Sequence, residues 1–209
     1  MFSAKHRHLI QDTELADSFS WDAHKLLNVP LTASGIQVKK AGLLKDAVSG
    51  GGGEYLFHQD ENADFNLGER SIQCGRRADA LKVWMSWKAV GSDGFATKVD
   101  YLQTLKSYCV GQIRKKSCFK LLATTTYLNI LFRYEPQCSM QEEQLRQLNI
   151  AICKKLKSEG LAYIDYASFK GKSGIRLILA NDNASQEDID KVIEYCKSAG
   201  DLISKSPLF

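Results

Sequence analysis

The sequence predicts an α/β protein in two unequal parts, for two reasons. From about residue 95 onward, strand-like and helix-like patterns alternate, which is typical of a sheet with helices packed on it. Residues 1–94 offer only two or three short strands, a glycine-rich segment and one apolar helix, too few to close a core. We therefore expect 95–209 to form a small α/β domain and 1–94 to be an incomplete part of a larger one.

In the first part, strands are predicted at 17–21 and 34–40, on either side of a loop that contains Lys25. Residues 49–69 follow, with four consecutive glycines and no clear period. A run this long without a pattern is uncommon in a compact domain and often forms a functional lid.

The segment 76–90 is apolar on most sides, which predicts a buried helix, and the sequence GSDG at 91–94 is expected to break it. Because nothing else in the first part would bury this helix, we expect another chain, or a further part of the same protein, to cover it.

The second part begins with a predicted amphipathic helix. Strands are then expected near "FKLLATT", "YLNILFRYE", "LAYIDYASF" and "GIRLILAN". A helix between the second and third strands places Leu145, Leu148, Ile152 and Leu156 on one face. A last helix begins with Ser185 three residues before Asp188, the spacing of a capping box. The amphipathic helix that opens this part has its apolar positions at Phe95, Val99, Leu102, Cys109 and Ile113.

The composition indicates a soluble, cytoplasmic globular protein. Of 209 residues, 44% are hydrophobic, which supports a core. The net charge of +4 has both signs interspersed and does not indicate a nucleic-acid partner. No run reaches the ~18 apolar residues of a membrane span, and the N-terminus lacks a signal-peptide pattern. Six cysteines without a C-x-x-C pair predict reduced thiols, mostly buried.

No metal site is predicted. His6 and His8 are suitable ligands, but no third ligand follows at a spacing known from metal sites. Solvated surface is the interpretation we adopt for this pair.

Three stretches carry a resemblance to a known family: "ADSFSWDAHKLL", "YLFHQD" and "ERSIQCGRRADALKVWMSWKAVG". Together they resemble the pyridoxal-phosphate-dependent amino-acid decarboxylases of group II, most nearly the branch of glutamate decarboxylase and cysteine sulfinate decarboxylase. The resemblance runs from about residue 4 to about 200. It implies the aspartate-aminotransferase-like fold (PLP fold type I), with the end of the large domain followed by the C-terminal small domain.

The resemblance also implies roles for five residues. Lys25 would carry pyridoxal 5'-phosphate as an internal aldimine, with His24 in the cofactor site. Asp22, where the family usually has Asn, would lie near the phosphate end and add a negative charge there. Tyr55, on a mobile loop, would protonate the quinonoid intermediate after carbon dioxide leaves. Arg176 would bind the substrate carboxylate.

Three of these roles have a structural alternative. Lys25 could be a loop lysine that points to water. The catalytic role is more demanding, because only a neutral, accessible amine forms an imine. Tyr55 could anchor a flexible loop, for which the glycines at 50–53 allow large excursions. Arg176 could belong to a structural ion pair, although its planar fork suits a carboxylate better than lysine would.

The resemblance thus implies decarboxylation of an amino acid by a homodimer, with an acidic substrate such as glutamate, aspartate or cysteine sulfinate. Decarboxylation of diaminobutyrate or an aromatic amino acid is an alternative. Family members have a long N-terminal half with the phosphate-binding loop and an Asp that pairs with the pyridine nitrogen, and this sequence begins after it. A second alternative is therefore a truncated, non-catalytic chain or a subunit that needs a full-length partner.

Overall fold

The computed structural model describes residues 2–48, 61, 63–73 and 75–206. The chain divides into two compact units, Met1–Phe95 and Ala96–Phe209. No helix within the described ranges is both long and apolar enough to cross a membrane.

The first unit is built on an antiparallel pair of strands, β1 (Ser18–Asp22) and β2 (Ser34–Val38). Both predicted strands are present, and their register runs from Ser18 opposite Val38 to Asp22 opposite Ser34. A small core lies beneath the loop that joins them. Its buried members are Ala23, Val29 and Ala33, with Trp21, Leu27 and Val83 packed against them.

Short helical elements follow β2. Helix α1 spans Leu43–Val48, and 3-10 turns span Ala63–Phe65 and Leu67–Arg70. The Asn66 side chain caps the second turn, since its Oδ1 accepts the Gly68 N–H at 3.2 Å. The last residues of the segment 49–69, which showed no clear period in the sequence, therefore form short turns, and residues 49–60 and 62 lie outside the described ranges.

Helix α2 spans Asp79–Lys115 with a kink at Gly91, whose φ of 72° and ψ of 167° are not helical. The predicted break is present, but the helix resumes at once. Glycine tolerates this positive φ because it has no Cβ. The apolar side chains of Leu81, Trp84 and Met85 are more than half exposed. The described residues of the first unit supply nothing that covers this face, and its burial by another chain or a further part of the protein stays a prediction.

The second unit contains a four-stranded antiparallel sheet in the order β3-β4-β6-β5. Helices α3 (Glu142–Ser158) and α4 (Gln186–Ile203) complete the unit with the second half of α2. All the predicted strands and helices of this part are present. The strands are β3 (Phe119–Leu121), β4 (Asn129–Tyr134), β5 (Asp165–Phe169) and β6 (Lys172–Ile178).

The core of the second unit lies where the apolar periodicity predicted it. Every apolar position named above for the first helix of this part and for α3 is buried, and all of them except Phe95 belong to the second unit. The capping box of α4 is also present: Ser185 Oγ accepts the Asp188 N–H at 3.2 Å, and the Ser185 N–H donates to Asp188 Oδ2 at 2.9 Å.

One polar side chain is wholly buried between α3 and β4. Asn149 Oδ1 accepts the Tyr134 N–H at 2.8 Å, and its Nδ2 donates to the Tyr134 and Leu145 carbonyls at 3.0 and 2.8 Å. The β4–β6 pairing extends only to Phe132 opposite Ile175. Asn149 thus satisfies the main-chain groups at the end of β4 that would otherwise be buried without partners.

The five cysteines that the structure describes are all free. Cys109, Cys153 and Cys196 are buried. Burial raises the pKa of Cys109 and of Cys153 to about 12 and raises that of Cys196 as well. These thiols therefore stay protonated at neutral pH, as packed thiols do. Cys118 is half-buried and Cys138 is exposed.

We expect the Gly174→Ala substitution to destabilise the second unit. A Cβ at this position on β6 would collide with the Phe132 carbonyl oxygen on β4 and lie 2.8 Å from Leu122 Cδ1. Because a main-chain atom must move, the free energy of unfolding should fall by about 1–3 kcal/mol. The control is Gly111→Ala in α2, where a Cβ meets open space and should stabilise the helix by about 0.5–1 kcal/mol. Urea denaturation measures both, and equal stabilities would contradict the prediction.

Candidate functional site

Lys25 lies in the turn that follows β1, where its N–H donates to the Asp22 carbonyl at 3.2 Å. Its side chain is 71% exposed, and Nζ lies 2.8 Å from Asp22 Oδ2. An amine in this position is accessible to a small molecule. The nearest charge among the described residues is the Asp22 carboxylate.

Asp22 is held in place by a second donor. Ser34 Oγ donates to Asp22 Oδ1 at 2.6 Å, while Oδ2 takes the Lys25 ammonium. These two interactions, the one with Lys25 first, lower the pKa of Asp22 below its ordinary value of 3.8. The carboxylate is therefore ionised at neutral pH, and each of its oxygens has a defined partner.

His24 closes the neck of the loop. Its ring Nδ1 lies 3.0 Å from the Ala33 carbonyl oxygen and 3.2 Å from the Ala33 nitrogen. The main-chain N–H of His24 donates to the same carbonyl at 3.2 Å. If Nδ1 accepts from Ala33, the ring proton sits on Nε2. In either tautomer, the contacts with Ala33 fix the orientation of the imidazole.

Lys82 on α2 ties the far side of the loop to the helix. Its Nζ donates to the Thr32 carbonyl at 2.7 Å and to the Pro30 carbonyl at 3.0 Å, and it pairs with Asp79 Oδ1 at 2.8 Å. The loop that carries Lys25 is thus held where its two ends meet, by His24 and Ser34, and against α2, by Lys82.

Arg176 lies in the second unit, on β6, opposite Leu131 of β4 and Asp165 of β5. Its neighbours Ile175 and Leu177 are buried, while Arg176 itself is exposed. Among the described residues its guanidinium has no hydrogen bond or ion pair; Asp165 Oδ1 accepts the Tyr166 N–H instead. The structural ion pair considered as an alternative is therefore not found in the described part of the chain.

The structure brings together three of the five predicted site residues: Asp22, His24 and Lys25. Arg176 belongs to the other unit, and Tyr55 lies outside the described residues. No group of three His, Cys, Asp or Glu side chains within the described ranges is arranged to hold a metal ion.

Sequence reasoning missed Ser34 and Lys82. A signal for Ser34 existed, because it opens the second predicted strand and Asp22 directly follows the first. Antiparallel pairing of these strands places the two residues opposite each other at the neck of the loop. Lys82 gave no such signal, because it is 52 residues from Pro30 along the chain.

The chain belongs to a known family. The model of the pyridoxal-dependent decarboxylase conserved domain matches residues 1–135, which confirms the class of protein that the resemblance implied. Pyridoxal phosphate is accordingly the cofactor of this family.

Individual relatives agree with this assignment. The chain is 36% identical to mouse acidic amino acid decarboxylase GADL1, covering 96% of this chain and 38% of the relative. It is 31% identical to mouse cysteine sulfinic acid decarboxylase, covering 91% and 41%. The chain thus spans about two fifths of the length of these relatives.

Solved structures confirm the predicted fold class. The crystal structure of mouse CSAD superposes with a TM-score of 0.85 at 28% identity, covering 95% of this chain and 43% of that one. The structure of Oryza sativa TDC superposes with a TM-score of 0.84 at 19% identity, covering 96% and 42%.

The residues of the loop fit one end of pyridoxal phosphate. An exposed primary amine next to a fixed imidazole suits the aldehyde end. The Asp22 carboxylate does not suit the phosphate end, because like charges repel. In this structure Asp22 is turned to Lys25 instead.

We expect the pKa of Asp22 to rise when either partner is removed, and more in Lys25→Ala than in Ser34→Ala, because the Lys25 interaction is the larger cause of the shift. Since folding lowers this pKa, the ion pair stabilises the fold above the unfolded-state value and ceases to do so as the pH falls through the lower folded-state value. NMR titration of the Asp22 carboxyl carbon measures its pKa in the parent protein and in the two variants. The reverse order, or no change in either variant, would contradict the contacts described.

Proposed function

We propose that this chain carries the lysine-bearing part of a pyridoxal-phosphate-dependent amino-acid decarboxylase. The observation that supports the proposal best is the accessible amine of Lys25, next to His24 on a loop held at both ends, in a chain of the pyridoxal-dependent decarboxylase family. The proposal concerns the complete protein. This chain spans about two fifths of the length of its relatives.

In this proposal Lys25 holds the cofactor through Nζ, and His24 presents its ring to it. An ammonium is not a nucleophile, so Nζ must first lose a proton. Asp22 Oδ2 already accepts a hydrogen bond from Nζ at 2.8 Å and is the group placed to receive that proton. Ser34 keeps Asp22 in this position by holding its other oxygen.

Pyridoxal phosphate, when bound, supplies the electron sink that makes loss of carbon dioxide from an amino acid feasible. We assign the binding of the substrate carboxylate to Arg176, whose guanidinium is exposed and without a partner among the described residues. We assign to Tyr55 the delivery of a proton to the former α-carbon. Both assignments derive from the resemblance and remain predictions.

The substrate we propose is an acidic amino acid such as glutamate, aspartate or cysteine sulfinate. The names of the relatives at 30–36% identity, acidic amino acid decarboxylase and cysteine sulfinic acid decarboxylase, support this choice. We further propose that the complete protein is cytoplasmic and acts as a homodimer.

A second candidate function is that of a non-catalytic chain that requires a partner polypeptide. An exposed apolar groove of about 400 Å³ in the first unit favours this reading. The groove is apolar in character, and the side chains of Trp84 and Trp87 on its wall are 58% and 37% exposed. Contiguous exposed apolar surface marks a contact site for protein. Its lining residues are Trp21, Ala33, Ser34, Gly35, Asp79, Ala80, Val83, Trp84 and Trp87.

The two functions differ in the fate of Lys25. If the chain forms the lysine-bearing half of the site, incubation with pyridoxal phosphate followed by borohydride should leave one stable label, which peptide mapping places on Lys25. The label should disappear in Lys25→Ala and persist in Lys40→Ala, a matched change at an exposed lysine just after β2. Label scattered over surface lysines, or none, would favour the non-catalytic chain.

We expect Arg176→Lys in the complete protein to lower kcat/KM by about tenfold or more. Lysine cannot form the two parallel hydrogen bonds to a carboxylate that a guanidinium forms, and the loss of one charge-assisted hydrogen bond costs about 1.5–3 kcal/mol. Arg146→Lys, on the exposed surface of α3, serves as the control and should leave the kinetics unchanged. Unaltered steady-state kinetics in Arg176→Lys would mean that Arg176 does not bind substrate.

A further inference from the structure

A second groove lies within the second unit, between the latter half of α2 and the residues that follow β3. Its volume is about 580 Å³. None of its residues belongs to the candidate site described above, and the decarboxylase proposal assigns it no role. Its lining residues are Lys106, Ser107, Val110, Arg114, Leu121, Leu122, Ala123, Thr124 and Thr125.

Two cations line this groove without an acidic partner. Lys106 and Arg114 are eight residues apart on α2, with Val110 midway, so the three positions follow one stripe of the helix. Neither cation makes a hydrogen bond or an ion pair with any described residue. By contrast, Lys116, the residue after α2, pairs with Glu194 at 2.9 Å, and Lys98 on α2 pairs with Asp182 at 3.1 Å.

The opposite wall of the groove offers hydroxyl groups. Thr125 Oγ1 is shielded from solvent and has no hydrogen-bond partner in the described part of the chain. A buried hydroxyl without a partner is costly, and native structures usually satisfy such groups. Thr124 contributes a second hydroxyl from the same wall, whereas Ser107 Oγ already donates to the Gln103 carbonyl at 3.0 Å.

The remaining surface of the groove is apolar and consists of Val110, Leu121, Leu122 and Ala123. Two unpaired positive charges match the nearly double negative charge of a phosphate monoester at neutral pH better than the single charge of a carboxylate. Arginine, lysine and hydroxyl donors are the groups that hold phosphate oxygens. An apolar wall beside them suits a ligand with a small apolar body.

We propose that this groove binds a phosphate monoester with a small apolar body, at a site separate from the candidate active site. Lys106 and Arg114 hold the phosphate oxygens, Thr125 donates its hydroxyl to the same group, and Val110, Leu121 and Leu122 contact the apolar body. The site depends only on residues of the second unit, so the proposal stands or falls independently of the decarboxylase activity.

Titration calorimetry of the 209-residue chain with phenyl phosphate tests the proposal. We expect saturable binding with one site, weaker binding of benzoate, which carries one charge, and none of benzyl alcohol, which carries no charge. Lys106→Gln and Arg114→Gln should each weaken binding by about tenfold or more, because each removes a charge-assisted contact. Lys154→Gln, a matched change at an exposed lysine of α3 without a partner among the described residues, should leave the affinity within about twofold.

The Thr125→Val variant separates binding from folding. Valine has nearly the shape of threonine and removes the unpartnered hydroxyl, so the thermal stability of the variant should be at least that of the parent. Binding of phenyl phosphate should still weaken severalfold. Three results would overturn the proposal: no saturable binding, equal binding of benzyl alcohol, or an equal loss of affinity in Lys154→Gln and Arg114→Gln, which would indicate non-specific attraction.

Discussion

Closure of the loop between β1 and β2 is the constraint on which the candidate site depends. The contacts of His24 with Ala33 and of Ser34 with Asp22 join the two ends of this loop, and Lys82 holds its base against α2. A lysine on a free loop would sample many directions. Here the turn that carries Lys25 is fixed on both sides, so Nζ occupies a defined place although its side chain is largely exposed.

The surroundings of Lys25 follow from the same contacts. In this chain the amine faces water and the Asp22 carboxylate. A family of pyridoxal-dependent enzymes requires a neutral amine at the moment of bond formation. In the function we propose, the Asp22 carboxylate that lies 2.8 Å from Nζ is the acceptor for its proton. The function we propose therefore assigns the Asp at this position, where the resemblance expects Asn, to the chemistry of the lysine and not to contact with the phosphate.

The exposed apolar face of α2 has a related meaning. The helix is apolar on most sides, yet Leu81, Trp84 and Met85 are more than half exposed. Helices of this composition are buried in complete proteins. The relatives are more than twice as long as this chain, which supports the proposal that a further polypeptide segment packs on this face. In the second unit, by contrast, the apolar positions that recur at helical spacing are buried within the unit itself.

The sequence by itself determined the strands, the helices and the capping box of the second unit, because period and cap chemistry are local properties. The pairing "HK" and its neighbouring stretches also determined the family. Only the tertiary structure decided that Asp22 faces Lys25, that Lys82 supports the loop from 52 residues away, and that Arg176 has no ion-pair partner among the described residues. The geometry of these side chains depends on how strands and helices pack, which no local pattern encodes.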